Sequence, residues 1–424
     1  MIKRETKGIT LIALVITIVV LLILAGITIS LVFSENGIIA KAREAAEKTN
    51  QATINEQEQM NELAGYMSNM VNGIGGGSTS EEPEDPTANW DLGKVDKVTS
   101  ADGVVVPVPI GYTASSVATE NTVVDGFVIY EGEEEVNDTN KDTAQTTRNQ
   151  FVWVPVANPS EMYGTDVDGK KWGKLYSFVS TGITPLNWTE QNGVMSITNI
   201  SGSGSCREPD VVTYNNQYDA VSTNLQQAGL DASATADSFK AQLGKEFNSM
   251  IESVEKYGGF YIGRYETGNL SQTEATVTKN NTDIASQTWY TQYKKAKGIA
   301  VNSNVTTSMI WGSQWDAVMR WMYDSGDEEK KTYTYDSTGK GNYYGTNGNV
   351  SIPTGSNDAY AVNNIYDMTG NVWDWTIESS NTNDRSVRGG VFSSNGSSNP
   401  ASSRGGSVPT SSNIYYGSRT VLYM

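Results

Sequence analysis

Residues 364–375 read Asn-Ile-Tyr-Asp-Met-Thr-Gly-Asn-Val-Trp-Asp-Trp, and they set two carboxylates, a glycine and two indoles around one short turn. Gly370 is free to take a positive φ. Asn371 tolerates tight turns and bonds its own backbone. Trp373 and Trp375 are two apart and share one face if the segment is a strand. Asp367 and Asp374 bracket the turn with carboxylate oxygens. These residues predict a rigid turn pinned by indoles, with acceptors pointing inward. The alternative is a buried turn whose polar groups satisfy one another. Ser386-Val387-Arg388-Gly389-Gly390 follows closely.

What the chain lacks narrows the chemistry. It has no histidine, so Ser-His-Asp and Cys-His nucleophile systems are excluded, as are His-based zinc, copper and iron sites. General acid–base work would fall to carboxylates, Lys or Tyr, and no spacing singles out a glycosidase-type carboxylate pair. Cys206 is the single cysteine, so no internal disulfide forms; in its Gly/Ser-rich surroundings it reads as an inert thiol. The formal net charge of −18 argues against a nucleic-acid partner, which selects a basic face.

In order along the chain, several segments resemble the formylglycine-generating-enzyme family of sulfatase-modifying factors. They are Phe151–Val156, Gly259–Glu266, the turn above with its Arg388-Gly389-Gly390 successor, and Gly417–Leu422. The resemblance runs from about residue 150 to 424. It implies an irregular α+β domain related to the C-type lectin fold. The family's oxidation chemistry uses two cysteines after the R-G-G piece to bind copper. Counting from Arg388, those places hold Ser394 and Asn399, and a hydroxyl and an amide cannot replace soft thiolates for Cu(I). A related branch binds iron through histidines, absent here. The expectation is no catalysis and no copper. The family also holds a structural Ca²⁺, which maps onto Asp367, the carbonyls of Gly370 and Val372, and Asp374. Such hard oxygen ligands suit Ca²⁺. Asp374 is one carbon shorter than the family's usual Glu, and a hydrogen-bonded turn without metal stays open.

The N-terminus carries a different signal. Lys3, Arg4 and Lys7 outnumber Glu5, and Ile9–Val32 is apolar and uncharged. About 20 such residues span a bilayer as a helix, and the basic cluster keeps the N-terminus cytoplasmic. Lys7-Gly8-Ile9-Thr10-Leu11 resembles a type IV prepilin leader. The resemblance implies cutting after Gly8 by a prepilin peptidase, a mature start at Ile9, and other pilin-like subunits as partners. Ala13 stands where that family usually has Glu, which fits a minor or tip subunit better than a major one. A plain signal anchor is the alternative. Residues 38–70 are rich in helix formers and read as a solvated stalk. Gly73–Asn89, with Gly/Ser then Pro and acid, is a flexible linker. The expected organisation is leader 1–8, membrane and stalk helix 9–72, linker 73–89 and domain 90–424.

Within the domain, residues 104–109 and 127–130 are strand-like, with prolines making the first an edge strand at best. Residues 131–150 read as a loop and 157–235 as long loops. Ala236–Tyr257 is a helix with one apolar stripe from Phe239 to Val254. Ser308–Tyr323 is a second helix.

Val391–Ser418 is nearly free of charge and rich in Ser, Asn, Gly and Tyr, the composition of antibody paratopes. Its place also resembles the variable proteins of diversity-generating retroelements, many of which end this fold in a diversified loop. The expected ligand-binding residues are Phe392, Ser394, Asn395, Ser397, Asn399, Tyr415 and Tyr416, on surface loops. The loop around Lys174 has no motif pointing to a ligand. Together these features predict a surface-displayed, pilin-anchored, adhesin-like protein held in the cell membrane by residues 9–32. Its C-terminal domain would lie outside the cell and bind a protein or glycan. The alternative is a minor or tip subunit of a type IV pilus or secretion system whose large domain is structural.

Overall fold

Long apolar runs make the central strands, and short polar segments make the periphery. The computed structural model describes residue 85 and residues 87–424, apart from 192–193, 201–202, 211–215, 300–302 and 382. The leader, the apolar run, the stalk and most of the linker lie outside the described residues. Among the described residues no helix is long and apolar enough to cross a membrane.

The chain runs through the antiparallel pair β1 (Val95–Thr99) and β2 (Val105–Pro109). β3 (Tyr112–Ala114), β4 (Val128–Glu131), helix α1 (Lys141–Thr147) and β5 (Gln150–Pro155) follow. Next come three small antiparallel sheets. They are β6 (Tyr163–Thr165) with β7 (Lys171–Gly173), β8 (Tyr176–Val179) with β9 (Gly182–Pro185), and the trio β10 (Thr189–Gln191), β11 (Val194–Ile200) and β12 (Ser203–Cys206). Helices α2 (Asn216–Asp219), α3 (Ser222–Gln227) and α4 (Ala236–Tyr257) lead to β13 (Gly259–Gly263). α5 (Trp289–Lys297), β14 (Thr306–Met309), α6 (Gly312–Tyr323) and α7 (Glu328–Tyr335) precede the pair β15 (Ala361–Val362) and β16 (Ile365–Tyr366). β17 (Trp373–Ser379), β18 (Arg385–Arg388), β19 (Arg404–Ser407), β20 (Tyr416–Ser418) and β21 (Thr420–Tyr423) complete the order.

Two sheets carry the architecture. One has the order β14-β21-β13-β5-β4-β3, and its pairings are antiparallel. β5 and β13 lie in its middle and are buried on both faces, as continuous apolar strands should be. Alternate residues serve opposite cores. Val152, Val154, Phe260 and Ile262 pack with helices α4, α5 and α6. Phe151, Trp153, Tyr261 and Leu422 pack with β1 and β2. The second sheet has the order β19-β18-β17-β20, with β20 parallel to β17.

α4 occupies the span its apolar stripe predicts. Thr235 and Ser238 form a capping box at its start, and Gly258, at φ 79°, ends it. Three expectations need correction. Residues 131–150 are not all loop, because 141–147 form α1. Residues 157–235 are not long loops but hold β6–β12, α2 and α3; all of these strands but the seven-residue β11 have three or four residues, too short to show a period. The second helix begins at Gly312, not Ser308, because residues 306–309 pair with β21 as a sheet edge.

Candidate functional site

The 367–374 turn is built around Gly370, whose φ is 71° and whose added Cβ would lie 2.5 Å from the Asn342 carbonyl oxygen. Only glycine fits there. Asn371 is fully bonded. Its Nδ2 donates to Glu266 Oε2 at 2.7 Å and to the Ile352 carbonyl at 3.2 Å, and its Oδ1 accepts from Ile352 N at 2.9 Å and Asn342 Nδ2 at 3.1 Å. Gly370 N donates to the Gly389 carbonyl, and Phe392 N to the Asn371 carbonyl, both at 2.9 Å. The turn and the R-G-G strand are thus one hydrogen-bonded body. Trp375 is buried and Trp373 half-buried, and the Trp375 ring lies 4.9 Å from that of Tyr416.

The carboxylates point inward as expected, with a third that sequence reading missed. Asp367, Asp374 and Glu266 are all buried. Asp367 Oδ2 accepts from Thr354 Oγ1 at 3.0 Å and Gly355 N at 2.8 Å; Asp374 Oδ2 accepts from Arg419 Nε at 3.2 Å. Arg419 also donates to the Gly263 and Tyr366 carbonyls at 3.0 and 2.8 Å. The Oδ1 atoms of both aspartates are buried without a partner. Burial raises the proton affinity of all three acids. Asp374 is pushed up to about 6, with Arg419 opposing and Asp367 adding to the rise. Glu266 is pushed well above the usual range by burial, then by Asp367 and Asp374, and Asp367 is raised by burial. One guanidinium faces three carboxylates, so the site favours protons or a further cation. Among the described residues no group of three or more Asp, Glu, Cys or His side chains has the spacing of a metal site. A cation here would draw on main-chain carbonyls as well.

The two positions where the family resemblance places thiols lie together. A Cβ on Gly390 would sit 2.7 Å from the Asn399 carbonyl oxygen and 3.2 Å from Ser394 Oγ. Ser394 Oγ accepts from Val391 N at 3.0 Å and donates to the Val391 carbonyl at 2.8 Å, closing a turn.

The remaining candidate binding residues divide by exposure. Asn395, Ser397 and Tyr415 are exposed, and Ser394, Asn399 and Tyr416 are half-buried. Phe392 differs from expectation: it is 4 % exposed, because its backbone bond to Asn371 seats it on the turn, with its ring 5.4 Å from that of Tyr415. Nor is Val391–Ser418 all surface loop, since Arg404 is buried in β19. A neighbouring loop that sequence reading did not single out joins this face. Tyr344, 70 % exposed, donates its backbone N–H to the Ser394 carbonyl at 2.8 Å. Tyr343 anchors the same junction from below, its hydroxyl donating to the Asn399 carbonyl at 2.5 Å.

Arg388 is structural. Its Nη2 lies 2.6 Å from Asp316 Oδ1 and its Nη1 3.4 Å from Glu378 Oε2. Arg404 binds the same two acids, through Nη2 to Asp316 and Nε to Glu378 at 3.1 Å. Beside them Glu208 is buried at the N-terminus of α6, accepting from Gly312 N at 2.6 Å and Ser313 N at 3.2 Å. Cys206 lies in β12, buried, and burial raises its thiol pKa far above the usual value.

Residues 257–424 match the family described as the sulfatase-modifying factor enzyme 1-like domain. No curated protein matches the sequence. Among solved structures, PvdO from Pseudomonas aeruginosa aligns at 16 % identity and a TM-score of 0.26, over 40 % of this chain and 82 % of that one; at that score the likeness carries no structural weight. Of the mixed α/β unit described here, residues 257–424 are thus similar to the sulfatase-modifying factor enzyme 1-like family.

Proposed function

We propose that the domain is a non-catalytic binding module, displayed at the cell surface by a pilin-like N-terminal anchor. The observation that carries this reading is the face around residue 394. Exposed Tyr344 and Tyr415 flank exposed Asn395 and Ser397, over a backbone tied to the core through Asn371 and Tyr343. Rigid loops presenting Tyr, Ser and Asn supply contact area at low entropic cost. The absence of catalysis is supported by the positions against Gly390, where Ser394 and Asn399 offer no soft ligand. In this reading Ca²⁺ is a structural ion held by Asp367, Asp374 and the carbonyls of Gly370 and Val372. The bare Oδ1 atoms of the two aspartates support it. The ion would supply positive charge only.

The test is to display the full chain on cells, select a macromolecular ligand from surface proteins and glycans, and compare variants. Tyr415→Ala should keep the melting temperature and weaken capture about tenfold, as expected for an aromatic anchor. Unchanged capture would place the binding face elsewhere. N-terminal sequencing of membrane-extracted protein should begin at Ile9, and a Met1 start would remove the pilin-like part of the proposal.

A further inference from the structure

A cavity of about 420 Å³ lies among the small hairpins, between Trp172 of β7 and Trp188 just before β10. Its volume falls within the about 300–1,000 Å³ of small-molecule sites. Trp172 stands across from Gly164 in the β6–β7 register, and any side chain at 164 would collide with its ring. The glycine therefore seats the indole flat. Trp188 meets Trp172 edge to face, with ring centres 6.4 Å apart. The Arg207 guanidinium lies 5.3 Å from the Trp172 ring centre and donates to both Asp166 oxygens, at 3.1 and 2.8 Å.

Three residues of this lining each carry a buried donor with no hydrogen-bond partner: Nε1 of Trp172, Nε1 of Trp188 and Nε of Arg207. Unmet buried donors are costly, and native structures rarely leave several in one place. A ligand that met them would bring acceptors. Asp166 pairs the guanidinium, and Lys174 on the same lining, which donates to the Ser160 carbonyl, leaves the cavity with a net positive charge that an acidic sugar would meet. Leu175 and Leu186 add apolar wall, so the ligand also presents a C–H surface.

We propose that this cavity is a saccharide-binding site, taking a mono- or disaccharide unit of a glycan. A pyranose joins an apolar ring face to a rim of hydroxyl oxygens. The face packs on the indoles, the oxygens accept from the indole and guanidinium N–H groups, and sugar hydroxyls donate to Asp166. Its residues precede the 257–424 family match, and the site is separate from the Tyr415 face.

The test uses the full chain with four probes, cellobiose, lactose, chitobiose and digalacturonate, read by saturation-transfer NMR and calorimetry. At least one probe binds. Trp188→Ala weakens that probe about tenfold or more, and Trp188→Phe, which keeps a ring and loses the donor, weakens it about fivefold. Tyr415→Ala leaves it unchanged, so loss of this site and loss of the other face are told apart. Trp188 is half-buried; should its alanine variant lose the fold, the phenylalanine variant decides. Silence from all four probes overturns the proposal, as does binding that survives the Trp188 changes in a folded protein.

Discussion

Arg388 and Arg404 stand opposite each other in the β18–β19 register, and both guanidiniums are held by the same two carboxylates, Asp316 and Glu378. All four side chains are buried. Two like charges are tolerated there only because two acids interleave them. Removing one member leaves a buried charge unpaired, which costs about 3–5 kcal/mol. Arg388→Ala should lower stability by that amount in urea unfolding. Arg388→Lys should also destabilise, since an ammonium cannot fork between two acids. A wild-type unfolding midpoint for Arg388→Ala would contradict the network.

Glu208 sits beside that network without an arginine of its own. Burial, then the Glu378 charge, push its carboxyl from 4.5 up to about 7. The folded state therefore binds a proton that the unfolded state releases. The stabilisation is full below about pH 4.5 and is lost as pH rises through about 7. Each pKa unit is worth about 1.4 kcal/mol, so the effect is on the order of 3 kcal/mol. Glu208→Gln replaces the titrating carboxyl with a neutral amide. Its stability should vary less than wild type between pH 5 and pH 8 in parallel denaturant titrations. Equal slopes for the two proteins would refute the assignment.

Calcium should raise the melting temperature of the full chain, and a chelator should reverse the rise, because binding only the folded state stabilises by mass action. Metal ligation needs ionised carboxylates. Since Asp374 is pushed up to about 6, protons should outcompete calcium as pH falls through that value, and the shift seen at pH 7.5 should shrink by pH 5. Asp367→Asn should weaken the calcium response. A melting temperature indifferent to both calcium and chelator would remove the ion from the turn.

Phe392 and Tyr415 touch yet should behave oppositely. Phe392 is buried and Tyr415 is 39 % exposed. Phe392→Ala should cost about 3 kcal/mol through the cavity it leaves, while Tyr415→Ala stays within about 0.5 kcal/mol. Thermal unfolding of the two variants side by side checks the division. Equal losses would mean that Tyr415 is packing rather than surface.

What the sequence made legible follows from local physics. α4 announces itself by its stripe and by the Gly258 stop. The 367–374 turn announces itself by Gly370 and Asn371, residue types that favour a left-handed turn whatever they later bond. Glu266 does not, because its link to Asn371 crosses 105 positions. The Asp374–Arg419 pair spans 45 positions, and neither residue's type tells which partner it takes. Phe392 departs from the expected surface position because composition marks a loop as polar without saying which residue turns inward. Trp172 and Trp188 give no signal in the sequence because each is ordinary alone; only the hairpins bring them together.

β21 lies inside its sheet, between β14 and β13, although it is the latest strand in the order. During synthesis β14 and β13 each present an open edge until residues 420–423 have cleared the ribosome. Unpaired edges invite other chains, so the nascent protein is exposed to misassembly from the emergence of β13 and β14 until that of β21. A stall or a cut just before Thr420 would leave a chain with most of its apolar core made and no means of closing it.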